Sequence, residues 1–272
     1  MTRAPQRRWL VLSIPPALVL VVLILVLLRG RLFPQDPVWA RVVGKGVWRV
    51  GMDPSFPPFE MTNESGEVVG FDVDLARAIA EQWGVDVEIV GVGFDGLIDA
   101  VKADRIDAAI SAIPYDPLLT RDVRYSEPYF DAGWRVVVKK DSPIRQVSDL
   151  AGRRVAVEWG SEGDVWARRL QRRYPEMRLV LKPSLEEVLS AVANREAEAA
   201  IVDGVTFRLQ GDGWRQVGEA LSHEPYVIVM SMRAFRLQKE VNRALAVLAS
   251  QGQLRALEER WFGAGAGKST GR

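Results

Sequence analysis

A helix-into-strand pattern of apolar and polar residues occurs twice in the chain, about ninety residues apart. The first copy has AV at residues 100–101 and DAAI at 107–110, and the second has AV at 191–192 and EAAI at 198–201. Each copy predicts the end of an amphipathic helix, a polar turn and a short strand that is buried on both faces. Because alternating strands and helices form parallel α/β sheets, the two copies predict two similar lobes.

The residues that follow the two short strands are candidates for ligand contact. In open parallel sheets, ligands bind beyond the carboxyl ends of the strands. Ser111 directly follows the first copy, and Asp203 lies two residues beyond the end of the second. We therefore expect Ser111 and Asp203 to face a common cleft between two lobes that close as a clamp.

The two halves of the chain also begin in the same order, with a strand, an acidic residue, a loop, a helix and a second strand. In the first half, an apolar strand over residues 47–52 ends at Asp53, and three prolines then set a rigid loop. In the second half, a strand over residues 155–157 ends at Glu158 and a loop follows. This matched order supports a duplicated architecture.

The N-terminus carries a long apolar run over residues 9–28. A helix of about 20 residues rises roughly 30 Å, which is enough to cross a bilayer. The run lacks a nearby small-residue cleavage site, and the chain has no cysteine that could accept a lipid. Residues 1–28 are therefore predicted to be an uncleaved transmembrane anchor, residues 29–46 a linker punctuated by Pro and Gly, and residues 264–272 a disordered tail.

The composition narrows the possible functions. The 272 residues include 36 basic and 35 acidic side chains, so no general nucleic-acid footprint is expected. With no cysteine and one histidine, His223, the chain is not expected to hold a zinc ion, another metal or a cofactor. A Ser-His-Asp triad would have to use His223, for which a surface or hinge position is the favoured interpretation.

Several motifs occur in order between residues 47 and 263, among them VGMDPSFPPFE, GFDVDLARAIAEQWG, YSEPYFDAG, DLAGRRVAVEWGSEG and LEERWFG. In this ordered set the chain resembles the bacterial extracellular solute-binding proteins of the polar-amino-acid class, family 3. The resemblance implies a two-lobed α/β periplasmic-binding-protein fold of type II, which closes on a small solute by hinge motion.

The resemblance also implies how the chain is divided between the lobes. The first lobe would hold residues 47–134 together with residues 226–263, which return to it, and the second lobe would hold residues 135–225. The two crossover hinge strands would lie near residues 134–136 and 225–227. The predicted transmembrane helix would precede this folded part.

The resemblance assigns roles to individual site residues. Asp203 matches the aspartate that binds the ammonium group of an amino acid, although capping of the next helix explains an acid there equally well. Phe56 and Phe94 match aromatic rings that sandwich the ligand side chain, with core packing as the competing interpretation. Ser161 and Glu162 match a loop whose backbone amides bind the ligand carboxylate at a helix N-terminus.

One position departs from the family pattern. Leu119 stands where the family has the arginine that binds the ligand carboxylate, and burying a carboxylate without a cation costs several kcal/mol. The contacts that bind the carboxylate of an amino acid are therefore either lost or rebuilt from other residues, with Arg121 as the nearest replacement. If they are lost, the pocket suits a cationic solute. Its acidic and aromatic lining would comprise Asp53, Phe56, Phe94, Tyr115, Glu158, Trp159 and Asp203.

The sequence thus predicts a receptor that performs no chemistry. It would be monomeric, extracytoplasmic and tethered to the membrane, and it would deliver a small polar solute, amino-acid-like or cationic, to the permease of an ABC importer. One alternative is an enzyme on the same fold that resembles cyclohexadienyl dehydratases, with Glu158 or Glu127 as an acid whose pKa is raised by burial. Another is a sensory binding module without transport.

Overall fold

The computed structural model of the chain describes residues 36–263. The predicted anchor over residues 1–28 and the predicted tail over residues 264–272 lie outside this part. Within residues 36–263, no helix combines the length and the apolar composition needed to span a bilayer.

The described part contains strands and helices in alternation. The strands are β1 (Val47–Met52), β2 (Ser55–Phe56), β3 (Glu60–Thr62), β4 (Val68–Val69), β5 (Asp86–Gly91), β6 (Ala108–Ala109), β7 (Val123–Tyr125), β8 (Phe130–Asp131), β9 (Arg135–Lys139), β10 (Arg154–Glu158), β11 (Arg178–Lys182), β12 (Ala199–Val202), β13 (Trp214–Gln216), β14 (Pro225–Tyr226) and β15 (Val229–Ser231). The α-helices are α1 (Pro37–Lys45), α2 (Phe71–Trp83), α3 (Leu97–Lys102), α4 (Glu162–Arg173), α5 (Leu185–Ala193), α6 (Gly204–Leu209), α7 (Phe235–Ser250) and α8 (Gln253–Phe262).

Two five-stranded sheets repeat one topology. The first has the order β5-β1-β6-β15-β7 and the second the order β11-β10-β12-β9-β13. In each sheet the first three strands are parallel and the fourth is antiparallel to its neighbours. The antiparallel fourth strand, β15 or β9, is in each case the strand that follows the passage of the chain from the other sheet. The predicted two-lobed α/β architecture is confirmed.

The short strand of each duplicated pattern lies at the centre of its sheet. Both residues of β6 and all four residues of β12 are buried, because the sheets are covered on both faces. The helices cover the sheets with apolar stripes, and in α2 the side chains of Leu75 and Ile79 are fully buried. The predicted helix-turn-strand units are therefore present in both lobes.

The predicted linker over residues 29–46 is wrong for residues 37–45, which form α1. Pro37 occupies the start of this helix, and Gly46 ends it in a left-handed conformation with φ 68°. Proline at the first position and glycine just past the last one mark helix boundaries as well as loops. For this reason the Pro and Gly residues of this segment were misinterpreted as signs of a linker. Val38 and Val42 of α1 are buried in the core of the first lobe.

Asp36 ties α1 to the rest of the first lobe. Its Oδ1 accepts hydrogen bonds of 2.9 Å from the backbone nitrogens of Val38 and Trp39 and so caps α1. Its Oδ2 accepts hydrogen bonds from the nitrogens of Arg236 at 2.6 Å and Leu237 at 3.0 Å and so caps α7. A single buried carboxylate thus satisfies the open N–H groups of two helices.

The two segments that join the lobes run side by side. β8 pairs with β14 in antiparallel register, and the nitrogen of Leu221 donates to the carbonyl of Trp134 at 2.7 Å. The first crossover therefore begins before the residues 134–136 named above. Gly133 is needed here, because a Cβ atom at this position would collide with the carbonyl oxygen of Ser222.

Candidate functional site

A cavity of about 290 Å³ opens at the carboxyl ends of β1 and β6. It brings together four residues predicted from the sequence, Asp53, Phe56, Phe94 and Ser111. Its remaining lining residues are Ser55, Glu60, Ala112, Pro114 and Tyr226. None of these residues of the described chain carries a positive charge, so the cavity wall is acidic and aromatic.

Asp53 presents one carboxylate oxygen to the cavity. Its Oδ2 accepts a hydrogen bond of 2.8 Å from the nitrogen of Phe94 and so anchors the turn at Phe94–Gly96. No hydrogen bond reaches its Oδ1 from the residues that the structure describes. Because an ionised carboxylate can accept several hydrogen bonds, Asp53 can both hold this turn and bind a ligand.

Ser111 is fully engaged within the protein. Its Oγ accepts a hydrogen bond of 3.0 Å from the nitrogen of Asp53 and donates one of 2.7 Å to Oε1 of Glu60. The hydroxyl proton is therefore already used, and the side chain is 1% exposed. In this arrangement Ser111 joins β1, β3 and β6 rather than offering a donor to a ligand.

Two phenylalanine rings form the exposed walls of the cavity. Phe56 and Phe94 are each 46% exposed, which is unusual for phenylalanine side chains. Phe56 stacks on Phe59 with 5.5 Å between ring centroids and 6° between planes. Phe94 belongs to none of the core clusters of the described residues, so core packing does not account for its position. Exposed aromatic faces of this kind can hold a planar or cationic group.

Phe59 connects the cavity to the crossover strands. It is fully buried, and five aromatic rings lie around it at centroid distances between 4.9 and 5.9 Å. These are the rings of Phe56, Phe71, Phe130, Tyr226 and Phe262. Since Phe130 and Tyr226 belong to β8 and β14, the aromatic cluster packs the cavity wall directly against the hinge.

Glu60 and Asp72 form a buried pair of carboxyl groups beneath the cavity. They are 1% and 0% exposed, and they bond to adjacent residues, Glu60 to the hydroxyl of Ser111 and Asp72 to the nitrogen of Ala112. Oδ2 of Asp72 accepts hydrogen bonds from the nitrogen of Ala112 at 2.7 Å and the hydroxyl of Tyr129 at 3.0 Å. Burial and the neighbouring acid raise the pKa of Glu60, and burial raises the pKa of Asp72.

The second-lobe candidates lie at the carboxyl edge of the other sheet and do not line this cavity. Glu158 ends β10, and Trp159 beside it is 68% exposed. Ser161 caps α4, because its Oγ accepts a hydrogen bond of 3.2 Å from the nitrogen of Asp164. Glu162 is the first residue of α4, so the open backbone amides predicted for carboxylate binding are at this end of the lobe.

Asp203 caps α6 in this structure. Its Oδ1 accepts a hydrogen bond of 2.8 Å from the nitrogen of Thr206, and its Oδ2 accepts one of 2.7 Å from the Thr206 hydroxyl. Tyr226 lines the cavity and lies within range of the charge of Asp203. Burial raises the pKa of Tyr226, and the charges of Glu224 and Asp203 raise this pKa further, followed by those of Asp72 and Glu60.

Tyr115, Arg121 and Leu119 lie outside the cavity. The ring of Tyr115 is 43% exposed and packs edge-on against Tyr125 at 5.0 Å. Arg121 is exposed, and its guanidinium makes no hydrogen bond or ion pair with another described residue. Leu119 packs on the apolar cluster that contains Val123. The structure therefore does not bring Arg121 to the place of the missing arginine.

A larger cavity of about 560 Å³ lies at the other end of the second sheet, near the amino ends of β10 and β12. Its lining includes Lys139, Arg153 and Arg195, but Arg154 in the same wall is paired with Glu198 at 3.1 Å. This cavity is remote from the carboxyl ends of the strands, where ligands of parallel sheets bind. The smaller cavity is therefore the better candidate site.

Sequence reasoning missed Glu60 and Tyr226 as cavity residues. Glu60 follows Phe59 in an aromatic, proline-rich run, and an acid inside such a run was the available signal. Tyr226 lies in the predicted crossover and carried no separate signal. Within residues 36–263, no group of three or more His, Cys, Asp or Glu side chains is placed to hold a metal ion.

Comparisons with known proteins identify the family. Residues 48–264 match the model of the bacterial extracellular solute-binding proteins, family 3. The arginine-binding extracellular protein ArtP of Bacillus subtilis (strain 168) is 28% identical over 225 residues, which cover 80% of this chain and 87% of that protein. The L-cystine-binding protein TcyJ of Escherichia coli (strain K12) is 26% identical over 238 residues, which cover 85% of this chain and 88% of that protein.

Among solved structures, the L-cystine solute receptor of Neisseria gonorrhoeae in its unliganded open conformation is 25% identical with a TM-score of 0.73. The match covers 83% of this chain and 96% of that structure. An ancestral cyclohexadienyl dehydratase, 24% identical with a TM-score of 0.72, shares the fold over 85% of this chain and 98% of its own. The duplicated sheets, the paired crossover strands and the family match lead to one conclusion: the chain belongs to the bacterial extracellular solute-binding proteins, family 3.

Proposed function

We propose that this chain is the extracytoplasmic receptor of an ABC importer and that it binds a small, positively charged solute between its lobes. The observation that carries the proposal is the cavity wall, which combines the carboxylate of Asp53 with the exposed rings of Phe56 and Phe94 and, among its lining residues in the described chain, has no cation. A carboxylate and aromatic faces both attract a cation. The name of the relative ArtP, an arginine-binding protein, agrees with a cationic ligand.

The second lobe would complete the site when the clamp closes. Asp203 is then the partner for a second cationic group, since its two capping hydrogen bonds leave lone pairs on both oxygens. Glu158 and Trp159 would add charge and an aromatic face, and the amides at Ser161 and Glu162 would contact a polar end of the solute. Tyr115 would join this set from the first lobe, whereas Arg121, an exposed cation outside the cavity, would not contact a cationic solute.

The absence of the family's arginine narrows the class of solute that the cavity is expected to bind. Leu119 replaces the cation that would neutralise an α-carboxylate, and no lining residue of the cavity supplies another. A buried carboxylate without such a partner costs several kcal/mol. The expected solute therefore carries amine or guanidinium groups and no carboxylate.

Arginine and agmatine test this expectation, because they differ only in the α-carboxylate. Thermal unfolding of residues 36–263 should shift upward with agmatine and far less with arginine at the same concentration. A ligand present at 100 times its Kd stabilises the folded state by about 2.7 kcal/mol. Stabilisation by arginine alone would show that other residues bind the carboxylate. If neither compound raises the unfolding temperature, the solute is not a guanidinium compound.

We also propose the division of the chain and its attachment. The first lobe comprises residues 47–134 and 226–263 together with α1, and the second comprises residues 135–225, with the receptor acting as a monomer. Residues 9–28 form a membrane anchor, as their length and apolar composition suggest. Mass spectrometry of the membrane-extracted protein should find the N-terminal peptide still attached, and a mature N-terminus near Arg41 would contradict the anchor.

The second candidate function is dehydration of a cyclohexadienyl acid. It is suggested by the similarity in fold to an ancestral cyclohexadienyl dehydratase. Glu158 would then be the acid in the cleft. Incubation of the chain with such a substrate should give no aromatic product above the rate in buffer. Product formation that Glu158→Gln abolishes would instead establish the enzyme.

A further inference from the structure

The buried pair of Glu60 and Asp72 has no cation to balance it. No arginine or lysine of the described chain bonds to either carboxyl group, and the titratable groups that face Glu60 are acidic or neutral. They are Asp72 in α2, Asp53 at the end of β1, Tyr129 before β8 and Tyr226 in β14. Two ionised carboxylates in contact inside a protein repel each other strongly.

The hydrogen bonds leave one place for a proton. Glu60 Oε1 accepts from Ser111, and Asp72 Oδ2 accepts from Ala112 and Tyr129. The two remaining oxygens, Glu60 Oε2 and Asp72 Oδ1, are buried and have no other partner within residues 36–263. Because the two carboxyl groups are held by the neighbouring residues Ser111 and Ala112, a proton shared between these two oxygens satisfies both.

The surroundings decide which residue carries the proton. Asp72 lies in the first turn of α2, where the helix dipole favours a negative charge, and two donors already point at it. Glu60 receives a single hydrogen bond, from a hydroxyl. The charge therefore belongs on Asp72 and the proton on Glu60.

We propose that at neutral pH Glu60 is a neutral carboxylic acid that donates its proton to Asp72, and that it is a specificity-determining residue of the cavity. It fixes Ser111 as an acceptor for the Asp53 nitrogen, and it leaves Asp53 as the one ionised carboxylate among the lining residues of the described chain. Asp72 meanwhile holds the backbone of Ala112, a non-glycine residue with φ 44°.

The proposal narrows the ligand class, and this part rests on the proposed function. A wall with one negative charge takes a single organic cationic group. A divalent metal ion, or two ammonium groups side by side, would require Glu60 to be ionised as well. The second charge of a solute such as agmatine must therefore lie towards Asp203.

The test follows proton uptake in the ligand-free, full-length chain. In the unfolded state Glu60 ionises near its ordinary pKa of about 4.3, so folding takes up one proton above that pH. The equilibrium constant for urea unfolding should therefore increase with pH between pH 5.5 and 7.5. For each pH unit, the factor of increase should be about ten times larger in the wild type than in Glu60→Gln. The amide of glutamine replaces the donated hydrogen bond, and Glu64→Gln, on the exposed part of the same hairpin, should keep the wild-type slope.

If the unfolding equilibrium constant depends on pH equally in the wild type and in Glu60→Gln, the proposal is overturned. If Glu60→Gln does not fold, infrared spectra of the wild-type chain with ¹³C-labelled glutamate carboxyls decide the question. A protonated-acid carbonyl band at pH 7 supports the proposal, and its absence refutes it. Neither measurement uses a ligand, so both are independent of the solute class.

The binding arm separates the two proposals. Asp53→Asn should weaken agmatine binding at least tenfold, whereas Glu60→Gln, which keeps the neutral charge and the donated hydrogen bond assigned to Glu60, should weaken it less than Asp53→Asn does. A loss in Glu60→Gln as large as that in Asp53→Asn would mean that Glu60 binds as an anion, which contradicts the inference. If the wild type binds no agmatine but its unfolding equilibrium constant depends on pH as predicted, only the proposed class of solute is refuted.

Discussion

Arg49 and Arg154 make the same set of hydrogen bonds in the two sheets. The backbone nitrogen of Arg49 donates to Oδ2 of Asp107 at 3.0 Å, and that of Arg154 donates to Oε2 of Glu198 at 2.8 Å. Each guanidinium also pairs with the same acid, at 2.8 and 3.1 Å. The acid that begins each duplicated strand thus locks it to the neighbouring parallel strand.

The turn before each acid repeats as well. Asp104 and Arg195 both adopt a left-handed conformation, with φ 55° and 62°. Their carbonyls each accept a hydrogen bond of 3.1 Å from the equivalent arginine. The duplication therefore extends from the apolar pattern to individual backbone torsions.

The two equivalent acids should differ in their contribution to stability. Asp107 is 1% exposed and also pairs with Arg41, whereas the side chain of Glu198 is 34% exposed. Asp107→Ala leaves Arg41, Arg49 and the backbone nitrogen of Arg49 without their partner and should cost about 1–3 kcal/mol of unfolding free energy. Glu198→Ala should cost about 1 kcal/mol or less. Urea unfolding at pH 7 measures both, and similar costs would contradict this account of burial.

Asp203→Asn should separate ligand binding from helix capping. Asparagine caps a helix about as well as aspartate, so the melting temperature of the ligand-free protein should change little. The lost charge-assisted hydrogen bond is worth about 1.5–3 kcal/mol, so agmatine binding should weaken about tenfold to a hundredfold. Isothermal calorimetry measures the affinity.

Thr206→Ala is the matched control for Asp203→Asn. It removes the hydroxyl that bonds to Asp203 without touching the carboxylate. Its affinity for agmatine should stay near that of the wild type. Unchanged affinity in Asp203→Asn would leave Asp203 with its capping role alone.

Phe94→Leu should reduce affinity for a cationic solute without unfolding the lobe. The ring is 46% exposed, so little buried contact is lost. A cation–π contact is worth about 0.5–2 kcal/mol, which corresponds to about twofold to thirtyfold in Kd. Leu118→Ala, at a residue that is 85% exposed and outside the cavity, is the control and should bind as the wild type does.

Asp131 should make the hinge sensitive to acid. Partial burial favours its neutral form, but hydrogen bonds from the Gly133 nitrogen, His223 and the Glu224 nitrogen outweigh burial and hold the pKa of Asp131 below its ordinary value. A lowered folded-state pKa gives stability that is fully present above the unfolded value of about 3.9 and is lost as the pH falls through the folded value. Asp131→Asn should therefore be less stable than the wild type at pH 7, and the difference should shrink below pH 4.

Unfolding free energies measured from pH 7 to pH 2.5 test the hinge prediction. Asp141→Asn, at an exposed residue of the second lobe, should show no such pH-dependent difference. A difference between Asp131→Asn and the wild type that persists unchanged to pH 2.5 would rule out the titration of Asp131 as its cause.

The repeated pattern was sufficient to predict the lobes, because strand burial and helix period leave direct traces in sequence. Asp53 could be placed at the cavity because it follows a strand end, and Phe56 because it matches an aromatic position of the family. The state of Glu60 could not be read in this way, because it depends on Asp72, which approaches it only through packing. The helix α1 escaped notice because Pro37 and Gly46 mark both linkers and helix ends.

With the membrane tether proposed above, Asp36 would give the two lobes unequal mechanical roles. It fastens the start of the described chain to α7, so a tether at residues 9–28, as proposed, pulls on the first lobe alone. The first lobe is then the stationary half relative to the bilayer, and closure is a swing of the second lobe. The permease would accordingly sense occupancy through the position of the second lobe.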